Sequence, residues 1–432
     1  MLELLNYQKE IVKEILFKRK GRALLWASVG TGKTAIALKA FEEWKTTGMK
    51  CLYLTPSILR EQVYSETRKF TSLRPCIISG TTAEKLECIK VDADLFITNY
   101  ETLRTNGQEL FNLNFEAIIC DESSILGHTT SKTYKLLMKF NPTFRSSLSA
   151  TPAPNALWEL WGHGNFLFPG YFGRNFYSWR QQNCKMNPYY AQIIGYFNEK
   201  KVRKQFASFT IRLHREDVLK LPPLEEIRLE VEPDKKLRNY YEKMRATCML
   251  EIKNQERITM PNALALLTRL RELIDCPSIL GILDVVSPKE KVLIDIIKQT
   301  SGKIIVFTEH AKVIRYLQLK FGGLLIDGEV SMKDREQTLR KFKIDKNEKL
   351  LFSTAAGAYG LNLTESQTVV HYQLPWNYSR VMQREGRIYR MGQLLPCKSY
   401  RIITRGTIDE KMERLIAKKR KLTTDDLIKI IV

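Results

Sequence analysis

The sequence lacks the patterns that mark membrane, secreted and zinc-dependent proteins. No apolar run approaches the roughly 18 residues that span a bilayer, and residues 1–8 lack the basic-then-apolar order of a secretory signal. The eight cysteines are scattered, with no C-x-x-C pair and no cluster with histidine. These absences predict a cytoplasmic protein, or a nuclear one in a eukaryote, with free thiols and no zinc site.

Acidic residues are scarce relative to basic ones. The chain has 47 Asp and Glu against 69 Lys and Arg, a formal net charge of +22. An excess of this size indicates a polyanion partner, nucleic acid above all. Lysine-rich coding in an AT-rich genome would give the same composition, and charge alone does not choose between DNA and RNA.

The order of apolar runs predicts two α/β lobes. At 432 residues the chain is longer than one core usually supports. Short apolar runs alternate with helical stretches in both halves, as in parallel sheets covered on both faces. The predicted strands are 22–26, 51–54, 95–98, 117–120 and 147–149 in the first half, and 303–307, 324–326, 349–353, 368–372 and 398–403 in the second.

A glycine-rich loop follows the first predicted strand and precedes a helix, which is the context of a P-loop. Backbone N–H groups at Gly30, Thr31 and Gly32 are expected to surround the β-phosphate of ATP. Lys33 would reach the β- and γ-phosphates, and the Thr34 hydroxyl would hold Mg²⁺. The loop therefore predicts an ATP·Mg²⁺ site.

Two acids, Asp121 and Glu122, end another predicted strand. Carboxylates at the carboxyl end of a parallel strand face the cleft of the sheet. Asp121 is expected to complete the Mg²⁺ shell and Glu122 to polarise the attacking water. The alternative is a solvated pair of loop acids.

Three further residues are candidates for contacts with the nucleotide. Arg387 and Arg390 are three residues apart, so a helix would place them on one face, where they could stabilise charge on the γ-phosphate. Surface arginines in salt bridges are the alternative. Gln8 lies upstream of the P-loop, and its amide could pair with adenine; placement in the core or on the surface is the other interpretation.

With these residues placed, nearly the whole chain resembles superfamily 2 helicase-type motors and, among them, SWI/SNF-type DNA translocases. Residues 121–124 resemble the family's acidic box, 149–152 its coupling motif, 155–170 a stretch typical of SWI/SNF proteins, and 383–393 its arginine motif. Ser123 and Ser124 stand where relatives carry alanine and histidine, and Ala355 replaces an arginine. The histidine and the arginine lie on the coupling route in relatives, and the departures leave the hydrolysis residues unchanged.

The resemblance implies an α/β fold of two RecA-like parallel-sheet lobes in tandem with small helical insertions. It implies an ATP-binding lobe over residues 1–220 with an insertion at about 165–209, a linker and helical protrusion over 221–285, a second lobe over 286–405 and a brace helix over 406–432.

It also implies roles for residues outside the nucleotide loop. Gly360 and Gln383 would join the ATP site, and Ser149 and Thr151 would couple it to DNA. The implied DNA contacts are Pro56, Thr98, Thr308, Thr354 and Trp376. The aromatic and basic residues of 165–209 would either stack bases or form the core of the insertion, and the basic segment 418–421 would either reach phosphates or end a solvated helix.

The implied function is a DNA-dependent ATPase that translocates on double-stranded DNA, remodelling protein–DNA complexes or branched DNA in repair, recombination or replication. A strand-separating DNA or RNA helicase is the alternative, and a DNA-binding scaffold switched by ATP is a third hypothesis. The expected partners are duplex or branched DNA without sequence preference and a targeting protein, with no membrane and a monomeric state. The absence of fused modules predicts a prokaryotic or phage setting.

Overall fold

The computed structural model describes residues 1–153, 156–173, 175–188, 193–253, 260–354, 357 and 360–417. The chain divides into two compact units, Met1–Leu219 and Lys220–Val432.

A seven-stranded parallel sheet organises the first unit, in the order β3-β4-β2-β5-β6-β1-β9. The strands of this unit are β1 (Arg22–Ala27), β2 (Cys51–Leu54), β3 (Pro75–Ile77), β4 (Leu95–Thr98), β5 (Ala117–Cys120), β6 (Phe144–Ser149), β7 (Cys184–Met186), β8 (Ile193–Tyr196) and β9 (Thr210–Leu213). Strands β7 and β8 form a separate antiparallel hairpin.

The helices of the first unit are α1 (Asn6–Lys13), α2 (Lys33–Trp44), α3 (Arg60–Phe70), α4 (Thr82–Cys88), α5 (Tyr100–Thr105), α6 (Gly107–Phe111), α7 (Lys132–Leu137), α8 (Leu160–Leu167), α9 (Phe176–Asn183), α10 (Glu199–Ala207) and α11 (Arg215–Val218).

Both faces of the first sheet are covered. Leu52 and Leu54 of β2 belong to one buried apolar cluster, and Cys51 and Tyr53 belong to another. Side chains alternate between the faces of a strand, so two clusters mean two covered faces. This is why the central strands appear in the sequence as continuous apolar runs rather than as alternating patterns.

The aromatic residues of the insertion contribute mainly to the core of the first unit. Phe166, Phe172, Trp179 and Phe206 are buried and belong to the cluster on one face of the sheet. Other aromatic side chains of this stretch are exposed: Tyr171, Tyr177 and Phe197. Tyr189 and Tyr190 lie outside the described residues.

A six-stranded parallel sheet organises the second unit, in the order β10-β15-β14-β11-β13-β12. Its strands are β10 (Leu224–Val231), β11 (Lys303–Thr308), β12 (Leu324–Ile326), β13 (Leu350–Thr354), β14 (Ser366–His371) and β15 (Cys397–Thr404). Its helices are α12 (Lys235–Lys253), α13 (Met260–Asp275), α14 (Pro288–Gln299), α15 (Ala311–Phe321), α16 (Met332–Ile344), α17 (Tyr378–Glu385) and α18 (Ile408–Ala417).

The segment expected to be a linker contains a full strand of the second sheet. Strand β10 pairs with β15 along its whole length, from Leu224 with Cys397 to Val231 with Thr404. The finer division of the second unit stays a prediction. Of the brace helix, α18 is described, and the basic segment 418–421 lies outside the described residues.

Within the described ranges, no helix combines the length and the apolar character needed to cross a membrane.

A candidate nucleotide site at the edge of the first sheet

The P-loop turns sharply between β1 and α2. Gly30 and Gly32 have φ angles of 85° and 77°, in the left-handed region that glycine adopts without steric cost. Lys33 is the first residue of α2, and its Nζ donates to the carbonyl oxygens of Ala27 at 3.1 Å and Ser28 at 3.3 Å. The ammonium group is therefore held at the loop by neutral acceptors.

Gln8 lies directly against this loop. It is 3% exposed, and its Nε2 donates to the Thr31 carbonyl oxygen at 3.2 Å. A Cβ at Gly32 would come within 2.3 Å of that nitrogen, and the left-handed φ of this residue also disfavours a side chain. The structure thus brings the candidate adenine reader and the candidate phosphate loop together.

The carboxylate of Asp121 lies next to the start of α2. Its Oδ2 accepts a hydrogen bond from the Tyr53 hydroxyl at 3.0 Å, and its Oδ1 accepts one from the Glu122 N–H at 2.8 Å. The Tyr53 hydroxyl is also hydrogen-bonded to Thr34. Because β2 and β5 are neighbours in the sheet, Tyr53 and Asp121 lie together near the carboxyl ends of these strands. Thr34 joins them there, so the three side chains meet at one edge of the sheet, the edge formed by the carboxyl ends of its strands.

Asp121 carries an unusual protonation equilibrium. Burial raises the pKa of this carboxyl to about 7, the Glu122 carboxylate raises it too, and the Lys33 ammonium opposes both. A bound cation would relieve the penalty that burial imposes on the ionised form. The chemistry of the site therefore fits a divalent cation.

The donor set fits Mg²⁺ in particular. A carboxylate from Asp121 and a hydroxyl from Thr34 supply oxygen ligands, and Mg²⁺ commonly takes one or two protein ligands beside phosphate and water. In the described part of the chain, no group of three or more His, Cys, Asp or Glu side chains could hold a metal ion.

Glu122 adopts a strained backbone conformation. Its φ is 46°, in the left-handed region that residues with a side chain rarely adopt. Of the predicted coupling residues, Ser149 ends β6 and Thr151 lies on the loop that follows; the Ser149 Oγ accepts from the Thr151 N–H at 3.0 Å.

In the second unit, the helix expected to carry both arginines ends earlier than predicted. Helix α17 stops at Glu385, with Gly386 as its C-cap, so Arg387 and Arg390 lie on the turn that follows. They still converge, since the Nη1 atoms of both donate to the Leu361 carbonyl oxygen, at 3.3 and 3.4 Å. Gly360 precedes that carbonyl with a φ of 77°, and Gln383 is half-buried on α17.

The predicted DNA contacts have mixed exposure. The hydroxyls of Thr98 and Thr308 are buried and donate to backbone carbonyls, those of Ile78 and His310. Thr354 is 5% exposed and accepts from the Gly357 N–H. Pro56 and Trp376 are half-buried. A role in DNA binding stays a prediction for all five.

Sequence reasoning missed two residues of these sites. Tyr53 falls within the predicted strand 51–54 and was given no role at the site, although strand pairing brings its hydroxyl to Asp121. Gln393 is 4% exposed, and its Nε2 donates at 3.1 Å to the carbonyl oxygens of Thr364, Ser366 and Ile388. It therefore fixes the turn that bears the arginines. Its position at the end of the arginine motif was the available signal.

Comparison with known proteins gives two family matches in tandem. Residues 7–279 match the SNF2-related domain, and residues 288–392 match the helicase conserved C-terminal domain. A protein of Mycoplasma pneumoniae named an uncharacterized ATP-dependent helicase is 28% identical over 98% of this chain and 42% of its own length. The human SWI/SNF-related matrix-associated actin-dependent regulator of chromatin subfamily A member 1 is 25% identical over 92% of this chain and 41% of its own.

A solved structure of the Sulfolobus solfataricus SWI2/SNF2 ATPase core in complex with double-stranded DNA is 22% identical, covers 97% of this chain and 92% of its own, and has a TM-score of 0.47. The chain spans 42% and 41% of the length of the two curated relatives above. The SNF2-related match extends over more than half of the sequence, with the P-loop and the acidic pair inside it. The chain therefore belongs to the SNF2-related family and carries a helicase conserved C-terminal domain after the SNF2-related one.

Proposed function

We propose that this chain hydrolyses ATP and uses the reaction to translocate along double-stranded DNA. The observation that carries the proposal is the convergence of Lys33, Thr34 and Asp121 at one edge of the first sheet. Family membership supports it, because curated relatives across the chain's length are named ATP-dependent helicases.

Each candidate side chain would have a separate role in hydrolysis. Phosphate oxygens would replace the two carbonyls that now accept from Lys33. Thr34 and Asp121 would hold Mg²⁺, which when bound neutralises charge on the phosphates. Glu122, next in the chain, would orient the attacking water and accept its proton. Arg387 and Arg390 keep their predicted role of stabilising charge on the γ-phosphate.

Charge supports a nucleic acid as the polymer along which the protein moves. A net charge of +22 favours binding to a polyanion. Contacts to phosphates carry no base information, so we expect binding that tolerates any sequence and weakens steeply as salt rises. Remodelling of protein–DNA complexes or of branched DNA is the finer part of the proposal, and a targeting protein, a monomeric state and a cytoplasmic location stay predictions.

The test is the steady-state ATPase rate measured with no nucleic acid, blunt duplex DNA, single-stranded DNA, a branched junction and RNA. Strong stimulation by plain duplex is the expected result, and additional stimulation by the junction would indicate branched DNA as the substrate. Stimulation mainly by single strands or by RNA would contradict duplex translocation and favour a strand-separating helicase.

A further inference from the structure

A buried chain of hydrogen bonds starts at the residue after the acidic pair. The Ser123 Oγ lies 2.8 Å from the Ser147 Oγ and donates to the Leu148 carbonyl oxygen at 2.9 Å. The Ser147 Oγ lies 2.7 Å from Nδ1 of His163, and the Nε2 of that ring lies 3.1 Å from the Pro152 carbonyl oxygen. The three side chains, which we call the Ser–Ser–His chain, are all 0% exposed.

The Ser–Ser–His chain connects two segments, the turn that begins at Glu122 and the loop that contains Thr151. The proposed reaction needs these two segments at fixed positions relative to each other. One end begins directly after Glu122, whose left-handed φ of 46° needs support from its surroundings. The other end reaches Pro152, directly after the predicted coupling residue Thr151. Ser147 is part of β6, which leads into that loop, and β6 is paired with β5, which leads into the acids.

Close packing places the histidine in this chain. Helix α8, which carries His163, approaches the turn after Glu122 so closely that a Cβ at Gly162 would lie 1.8 Å from the Leu126 carbonyl oxygen. Glycine at this position therefore lets the helix sit against the turn. The next residue, His163, then reaches into the space between that turn and β6.

Counting protons fixes the direction of the chain. Burial lowers the pKa of His163 to about 4, so the ring is neutral near pH 7 and carries one N–H. A carbonyl oxygen can only accept, so that N–H belongs to Nε2 and points at Pro152. Nδ1 must then accept from the Ser147 hydroxyl. The Ser147 Oγ can therefore only accept from Ser123, whose single proton has two acceptors within reach, the Ser147 Oγ and the Leu148 carbonyl oxygen.

We infer that His163 is a positioning residue for the proposed ATPase. Acting through Ser147 and Ser123, it holds the turn at Glu122 in a fixed position relative to the Thr151–Pro152 loop. The inference rests on the proposed function. The inference also explains the serine at position 123, because a side chain without a hydrogen-bond donor could not bond to the Ser147 Oγ.

The strand offers a matched control. Ser146 and Ser147 are neighbours on β6 and both are 0% exposed, but the Ser146 Oγ has no hydrogen-bond partner in the described structure. Replacing either serine by alanine removes one hydroxyl from a fully buried site. Only Ser147→Ala breaks the Ser–Ser–His chain.

The experiment compares duplex-stimulated ATPase kinetics of the wild type, Ser147→Ala, Ser146→Ala and Ser147→Thr. We expect Ser147→Ala to lower kcat about tenfold with KM for ATP within about twofold, the pattern of a lost interaction that matters during reaction. Ser146→Ala and the hydroxyl-retaining Ser147→Thr should stay within about threefold of wild type. Equal kcat values for the two alanine variants would overturn the inference.

A second readout does not depend on turnover. The chain has five histidines, so ¹⁵N-histidine spectra at pH 7 can be assigned with a His163→Gln variant. We expect the neutral Nε2–H form at His163, with an Nδ1 resonance that shifts in Ser147→Ala and stays in place in Ser146→Ala. An Nδ1–H form or a protonated ring would overturn the inference. A wild type with no ATPase activity would instead refute the proposed function, while these spectra would still test the hydrogen bonds.

Discussion

In the first unit, hydroxyls and backbone carbonyls hold the side chains at the nucleotide edge, whereas buried ion pairs hold the polar interior of the second unit. Lys33 donates to two carbonyl oxygens, and Asp121 accepts from the Tyr53 hydroxyl. In the second unit, the Nζ of Lys289 lies 2.6 Å from a carboxylate oxygen of Asp275 and 2.5 Å from one of Asp409, and all three are essentially unexposed.

The difference predicts different responses to substitution. Losing a neutral hydrogen-bond partner costs about 1 kcal/mol of stability, whereas breaking a buried ion pair leaves an uncompensated charge and costs about 3–5 kcal/mol. Substitutions at the edge of the first sheet should therefore change rate before stability. Substitutions in the buried pairs of the second unit should change stability before rate.

Substitution of Arg387 or Arg390 should give the largest change in rate. Although both arginines belong to the second unit, we expect their loss to change rate rather than stability. Arg387→Ala and Arg390→Ala are each expected to lower the DNA-stimulated kcat by about 10³-fold or more, because arginine stabilises charge that develops on the γ-phosphate. Affinity for a fluorescent ATP analogue should change far less. Arg340→Ala, an exposed arginine of the same unit, is the control and should behave as wild type.

The buried lysine of the second unit should give the largest loss of stability. Burial opposes its charge, but the carboxylates of Asp275 and Asp409 more than offset this, so the pKa of Lys289 is raised. Lys289→Met should lower the free energy of unfolding by about 3–5 kcal/mol in denaturant titrations. Lys298→Met, at an exposed position of the same helix, should change it by about 0.5 kcal/mol or less; equal effects would remove the contrast between the units.

Asp121 should make activity and stability respond to pH in opposite directions. Because its pKa is raised to about 7, its protonated form favours the folded state without ligand, and that contribution is lost as pH rises through about 7. Binding of Mg²⁺ needs the ionised form, so log kcat/KM should rise with a slope of about one below pH 7 and level off above it. Asp121→Asn should flatten the stability profile; an unchanged profile would contradict the assignment.

The smallest effect should come from the hydroxyl of Tyr53. Its hydrogen bond lowers the pKa of Asp121, so Tyr53→Phe should move the midpoint of the activity profile to higher pH, with a loss of about twofold to fivefold at pH 7. Tyr100→Phe is the matched control, because that hydroxyl donates to the backbone carbonyl of Asp121 rather than to its carboxylate. An equal shift in both variants would show that the carboxylate contact is not responsible.

The central strands that are buried on both faces could be predicted from sequence with their bounds. The runs at 51–54, 95–98 and 117–120 coincide with β2, β4 and β5. Strands β9 and β10 were missed because each lies at an edge of its sheet and mixes apolar with charged residues, as in Leu224–Val231. An edge position alone does not hide a strand, since the edge strand β12 (Leu324–Ile326) is an apolar run and coincides with a predicted strand. Strands β9 and β10 lack such a run.

Some residues of the candidate site could be predicted from sequence and others could not. The P-loop and the acidic pair could be found because their residues are adjacent in sequence and their chemistry requires that spacing. His163, Ser147 and Ser123 belong to no shared pattern, and only the pairing of β5 with β6 and the close approach at Gly162 bring them together. The helix expected to carry the arginines ended early because Gly386 caps it, so the pair converges through a turn.

The most direct test of the central claim is displacement of a third strand from a triplex formed on otherwise plain duplex DNA, with ATP and Mg²⁺ present. Wild-type protein should displace the third strand only with hydrolysable ATP, and Glu122→Gln should bind the same DNA without displacing it. Vigorous duplex-stimulated hydrolysis with no displacement, or equal displacement by Glu122→Gln, would contradict translocation driven by ATP hydrolysis at this site.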